Sequence, residues 1–128
     1  EYQLIGSRES NQRLDRFQPA MTMLVTVISA NQATHVTVDA GTKALYFDAN
    51  TKPKIISHPG LHYDWSLFGD EHGRITADEG VTLPKVGEVL EIIVPHCDPT
   101  INLFDVFYLC EGDEVVDVWK IAMRGKCS

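Results

Sequence analysis

Basic residues are scarce in this chain: 11 Lys and Arg stand against 18 Asp and Glu, for a net charge of −7. Nucleic acid as a partner needs a basic surface, so that class is excluded. Cysteine is limited to Cys97, Cys110 and Cys127. An odd number without zinc-ribbon spacing predicts reduced thiols in a cytoplasmic compartment rather than a disulfide framework. No apolar run approaches the ~20 residues of a membrane span. No basic-then-apolar leader opens the chain. Glu1 stands where an initiator methionine is expected, which predicts a piece of a longer protein. There is no internal repeat and no low-complexity segment. What remains is ordinary globular composition, 44% hydrophobic and 23% charged over 128 residues, enough for one domain with a core.

The organisation reads as many short strands between Gly and Pro turns. Residues 1–16 are polar and lack a clean apolar period, so they read as a linker or a short helix. Residues 17–128 read as one β-domain. Strands are expected at Ala20–Ser29, His35–Asp39, Ala44–Phe47, Lys54–Ser57, Arg74–Thr76 and Glu88–His96. Phe107–Leu109 and Val115–Ile121 read as a hairpin around Glu111-Gly112-Asp113-Glu114. Thr100–Phe104 is the one helical turn expected. The fold class is therefore mostly β: a single antiparallel barrel or sandwich-like domain with short helical turns.

The most informative run is Pro95-His96-Cys97-Asp98-Pro99-Thr100-Ile101-Asn102-Leu103. If Glu88–His96 is a strand, His96 and Asp98 point to one face and Cys97 to the other. An imidazole and a carboxylate so placed are half of a metal site, suited to manganese or magnesium and acceptable to zinc. The alternative is a hydrogen-bonded structural pair, with Asp98 capping the turn that follows.

Other motifs precede and follow that run. They are Asp39-Ala40-Gly41-Thr42-Lys43-Ala44, then Asp70-Glu71-His72-Gly73, and a closing Val118-Trp119-Lys120-Ile121 with Arg124-Gly125. In this order and spacing, from about Phe17 to Gly125, the chain resembles the C-terminal domain of the metal-activated pyridoxal enzymes, the D-threonine aldolase and D-serine dehydratase-like family. The resemblance implies a mostly β domain beside an N-terminal (β/α)8 barrel that holds pyridoxal phosphate on a lysine. Such a barrel needs ~250 residues and is absent here. It further implies a divalent cation at His96 and Asp98, a small D-amino-acid substrate and a homodimeric full-length lyase. Asp98 matches the aldolase branch; the dehydratase branch places a cysteine there.

The remaining candidates are weaker. His72, in a turn between two glycines, is the expected catalytic acid or base, or at least substrate-proximal. Asp39 and Lys43 suggest a surface salt bridge or a domain interface. Lys43 is not the expected Schiff-base lysine, which belongs to the missing barrel, so no cofactor-binding residue is assigned. Asn102 and Asp105 could orient His96 or cap the local turn. Trp65, Phe68 and Trp119 read as core. Three readings follow: the metal-binding domain of a D-threonine aldolase-like lyase, inactive by itself; a dehydratase or deaminase relative; or a stand-alone β-barrel module.

Overall fold

A computed structural model describes residues 19–47, 51–64 and 69–126. The expected segment 1–16, and Trp65 and Phe68, lie outside the described residues. The order of elements is β1 (Thr22–Ser29), β2 (Val36–Val38), β3 (Lys54–Ile55), β4 (Leu61–Tyr63), β5 (Gly73–Ala77), β6 (Val89–Ile93), α1 (Cys97–Ile101), β7 (Val106–Glu111) and β8 (Glu114–Lys120). No described helix is long and apolar enough to cross a membrane.

The first six strands form one antiparallel sheet in the order β3-β6-β1-β2-β5-β4. Its edge strands β3 and β4 approach each other, so the sheet curls into a nearly closed barrel. Alternation along each strand decides what fills it. In β1, Val25 and Val27 are 1% exposed while Leu24, on the opposite face, is 70% exposed. Leu90 and Ile92 of β6, Val36 and Val38 of β2, and Ile75 of β5 complete the interior.

Two expected strands are corrected. Ala44–Phe47 is not a strand: residues 42–44 form a turn in which the Gly41 carbonyl accepts from both Ala44 N (3.0 Å) and Leu45 N (2.9 Å), and Tyr46 and Phe47 continue without regular structure. Leu45 from this turn is fully buried and plugs the core. The strand expected to reach His96 stops at Ile93, and a helix starts at Cys97. Pro99 does not end a strand; it sits in the first helical turn, where a missing N–H costs nothing. The helix is Cys97–Ile101, earlier than the expected Thr100–Phe104.

The expected hairpin is present, with Gly112 at φ +61° in its two-residue turn. It forms a separate two-stranded sheet. Trp119 is therefore not core: it is 57% exposed, and its Nε1 donates to Asp117 Oδ2 at 2.8 Å.

Leu90 is fully buried in the core cluster, so Leu90→Ala would leave a void there. The expected cost is about 2–5 kcal/mol. Urea unfolding should show this as a lowered midpoint with an unchanged slope.

Candidate functional site

One end of the barrel is built by three loops. The first is the turn 39–45 after β2. Asp39 faces back toward β1: its N donates to Thr26 O at 3.1 Å, and its Oδ1 accepts from Thr26 N at 2.7 Å. This grip lies beside the irregularity in the β1–β2 register. The expected Asp39–Lys43 surface pair is replaced by this contact.

The second loop, 69–72, lies against the first. Thr42 N donates to Gly69 O at 3.1 Å and Lys43 N to Asp70 O at 3.0 Å. Thr42 Oγ1 adds a bond to Asp70 Oδ1 at 3.2 Å, and Lys43 Nζ pairs with Glu71. The approach is possible only because residue 41 is glycine. A Cβ there would lie 2.3 Å from Gly69 O and 2.7 Å from His72 N. Gly73 is constrained in the same way, since its Cβ would meet Tyr63 Oη at 2.2 Å and Ala40 O at 2.5 Å. Tyr63 Oη donates to Ala40 O at 2.6 Å and so ties β4 to the first loop. Burial pushes the Tyr63 phenol up to about 12.

The third piece is the corner 94–101. His96 occupies the N-cap of α1 in extended geometry, with no side-chain cap. Its carbonyl accepts from Thr100 Oγ1 at 2.6 Å. That buried hydroxyl also accepts from Tyr46 N at 3.2 Å. The Tyr46 ring stands edge-on to the His96 imidazole at 5.6 Å and 74°. The segment 39–47 thus touches the 69–72 loop at one end and the His96 corner at the other. Thr100 and Tyr46 are the residues that sequence reasoning missed; the available signal was a threonine four residues after His96, the spacing at which its hydroxyl can reach back to the His96 carbonyl in a helical turn.

The predicted site residues fall as follows. His96 is half-buried and Asp98 is exposed in the first turn of α1, where a carboxylate suits the helix dipole. Strand alternation does not place Asp98 beside His96, because the strand has ended at Ile93. Cys97 packs against the core. His72 is exposed and lines a shallow groove of about 230 Å³ with His35, Thr37, Gly69, Gly73 and Arg74. His35 had no spacing signal. It joins the groove through the register that sets Thr37 opposite Arg74. Arg74 Nε donates to Asp64 Oδ2 at 2.8 Å, so the groove's cation is already paired.

Asn102 and Asp105 serve the C-terminal turn rather than the His96 imidazole. Asn102 Oδ1 accepts from Gly125 N at 2.7 Å, and Asp105 pairs with Arg124. His62 pairs with Asp78 at 2.8 Å, and His58 Nδ1 lies 2.8 Å from Ser57 Oγ. Among the described residues, no group of three or more His, Cys, Asp or Glu side chains is gathered to hold a metal.

Comparison with known proteins now adds the family. Residues 20–110, a span that contains all three rim loops, match the family model described as "Putative serine dehydratase domain". The chain belongs to this family. It is 35% identical over 109 residues to a D-threonine aldolase of Arthrobacter, covering 85% of this chain and 28% of that enzyme. The crystal structure of D-threonine aldolase from Filomicrobium marinum superposes with a TM-score of 0.82 at 31% identity, over 93% of this chain and 32% of that one. The chain therefore spans about a third of the length of these enzymes. A protein of Mycobacterium tuberculosis, itself described only as uncharacterized, is 28% identical over 115 residues, and there the match covers 85% of its length.

Two outcomes would check the rim. In Gly41→Ala the new methyl meets backbone oxygen that cannot rotate away. A loss of about 1–3 kcal/mol is expected, with faster amide exchange at 69–72. The Tyr63 phenol has a second, separable effect. A pKa raised in the folded state means that its contribution is complete below pH 10 and is lost as pH rises toward 12. Stability of the wild type should fall over that range by up to about 1.4 kcal/mol per pH unit more than that of Tyr63→Phe.

Proposed function

We propose that this chain is the C-terminal, metal-contributing domain of a longer pyridoxal-phosphate-dependent lyase that cleaves a β-hydroxy-D-amino acid, in the manner of the D-threonine aldolases. One observation carries the reading. The Asp39–Ala44, Asp70–Gly73 and Pro95–Thr100 motifs converge on one rim of the barrel through the hydrogen bonds of segment 39–47. Lys43 is not assigned to the cofactor. A Schiff-base lysine must shed its proton, and Lys43 holds its proton more tightly than usual because Glu71 accepts from it and carries the opposite charge. The cofactor lysine is assigned instead to an N-terminal (β/α)8 barrel, and the domain alone would be inactive.

A divalent cation suits the donor chemistry of His96 and Asp98, with manganese or magnesium favoured by the carboxylate and zinc acceptable. When bound, it would supply Lewis-acid stabilisation at the substrate oxygen. Two ligands from this chain leave the other positions to substrate, water or the neighbouring domain. His96 is oriented by the Tyr46 ring and by the Thr100 bond to its carbonyl. His72, exposed on the adjacent loop, is assigned to substrate proximity and proton exchange. The setting is cytoplasmic, and the full enzyme is a homodimer.

Two observations favour other readings. The family description names a serine dehydratase, which fits loss of the β-hydroxyl as water instead of aldol cleavage. The mycobacterial relative has nearly this chain's length, which fits a domain that works as a separate polypeptide. Reading the gene upstream of Glu1 separates the last case: an open frame for a barrel with a cofactor lysine supports the lyase.

In the full protein, His96→Ala or Asp98→Ala should abolish metal-stimulated cleavage of D-threonine. The cofactor absorption band should persist, and calorimetry should show weakened manganese binding. Asp98→Cys should shift the preference toward zinc, because sulfur is the softer donor. Normal metal-dependent rates in both alanine variants would make the pair structural.

A further inference from the structure

The β7–β8 hairpin stands outside the core that the rest of the chain builds. None of the buried core residues comes from it. Among the described residues, no other strand or helix comes within backbone contact of it. Every residue of β8 is exposed, yet much of the hairpin's exposure is apolar: Tyr108 of β7 is 67% exposed, and Val116 and Val118 of β8 are 51% and 48% exposed. Tyr108 lies directly opposite Val118, and the register shift sets Val115 and Val116 against Cys110. These side chains therefore share one face. A two-stranded hairpin is marginal in water without something to cover such a face.

We propose that this face is the seat of the adjoining domain of the longer polypeptide, a claim that rests on the lyase reading above. Three observations select that occupant. First, this chain spans only 28% of the Arthrobacter enzyme and 32% of the Filomicrobium one, so most of each relative lies elsewhere. Second, the face is small. Six residues at ~3.4 Å, on two strands ~4.8 Å apart, cover roughly 200 Å². A free partner or a second copy needs about 800 Å² per side. A tethered domain does not, because the linker supplies a high effective concentration. Third, the hairpin tip is acidic, with Glu111, Asp113, Glu114 and Asp117 within one turn and its flanks. Two copies would bring like charges together. The fitting surface is an apolar shelf with a basic rim.

Cys110 lies on this face and is exposed in this chain, so its alkylation reports cover. The full-length protein is treated with iodoacetamide, and labelling of the Cys110 peptide is followed by mass spectrometry. In the wild type, labelling should be at least about tenfold slower than in urea, as expected for a thiol reached only by local opening. Val118→Asp should bring it close to the urea rate, and Val118→Ile should not. If Val118→Asp fails to fold, Asp113→Lys with Glu114→Lys at the exposed tip should accelerate labelling by charge repulsion alone. The molar mass from light scattering should not change in any variant. Rapid Cys110 labelling in the wild type would show the face bare and overturn the proposal. So would a halved mass on Val118→Asp, which would make a second copy the occupant, or a gene encoding no further domain. Labelling needs no turnover, so a protected Cys110 in a protein without lyase activity would sustain the docking surface and sink the lyase reading.

Discussion

The rim depends on one backbone lying against another at a distance that no side chain would permit. Gly41 sits beneath the 69–72 loop with carbonyl oxygens and an amide where its Cβ would be. That approach lets Thr42 N and Lys43 N reach the carbonyls of Gly69 and Asp70. These bonds fix the base of the loop that carries His72, so an exposed turn between two glycines becomes a positioned one. Gly73 and the Tyr63 hydroxyl repeat the device one layer lower, against Ala40. The exposed Lys43–Glu71 pair adds little by comparison, since two solvated charges gain almost nothing by meeting.

The segment 39–47 then carries position from one loop to the next. Its first half is held by β1 through Asp39 and by the 69–72 loop through Thr42 and Lys43. Its second half meets the His96 corner through the Thr100 hydroxyl, which donates to one side and accepts from the other. A buried hydroxyl with both roles satisfied is a rigid link, because losing either partner would leave a polar group stranded in the core. Leu45, fully buried between these two contacts, anchors the segment in the hydrophobic interior. Burial and hydrogen bonding thus act on the same nine residues, and the candidate site is an extension of the core rather than a decoration on it.

Much of this was legible in the sequence, for a physical reason. Short apolar, β-branched runs bounded by Gly and Pro turns, and the Gly-centred hairpin, are local signals, and they predict the strands and the barrel-like class. The order of the motifs gave the family. What was misread depends on contacts far along the chain. Ala44–Phe47 looks extended by composition, but the Gly41 carbonyl gathers two amides and turns it. Trp119 looks like core by size, but its strand belongs to a two-stranded sheet that no other described strand or helix contacts, and its side chain is 57% exposed. Asn102 and Asp105 are close to His96 in sequence, yet they hold a turn some twenty residues downstream.

The His96 corner shows most clearly where local reading ends. The run Ile92-Ile93-Val94 continues apolar to Pro95, and extending the strand through it is the simplest reading. In the fold, Val94 and Pro95 are buried because the chain leaves the sheet and turns across its end. The helix can begin at once, since Pro99 and Asp98 both suit a first turn: one lacks a donor that would be unpaired, and the other places negative charge at the positive end of the dipole. The same two residues are equally compatible with a strand that stops. Burial of Thr100 decides between them, because its hydroxyl reaches His96 O only when the intervening residues are wound into a turn. His96 then projects from a fixed corner, with Tyr46 against its ring and Asp98 on the exposed first turn.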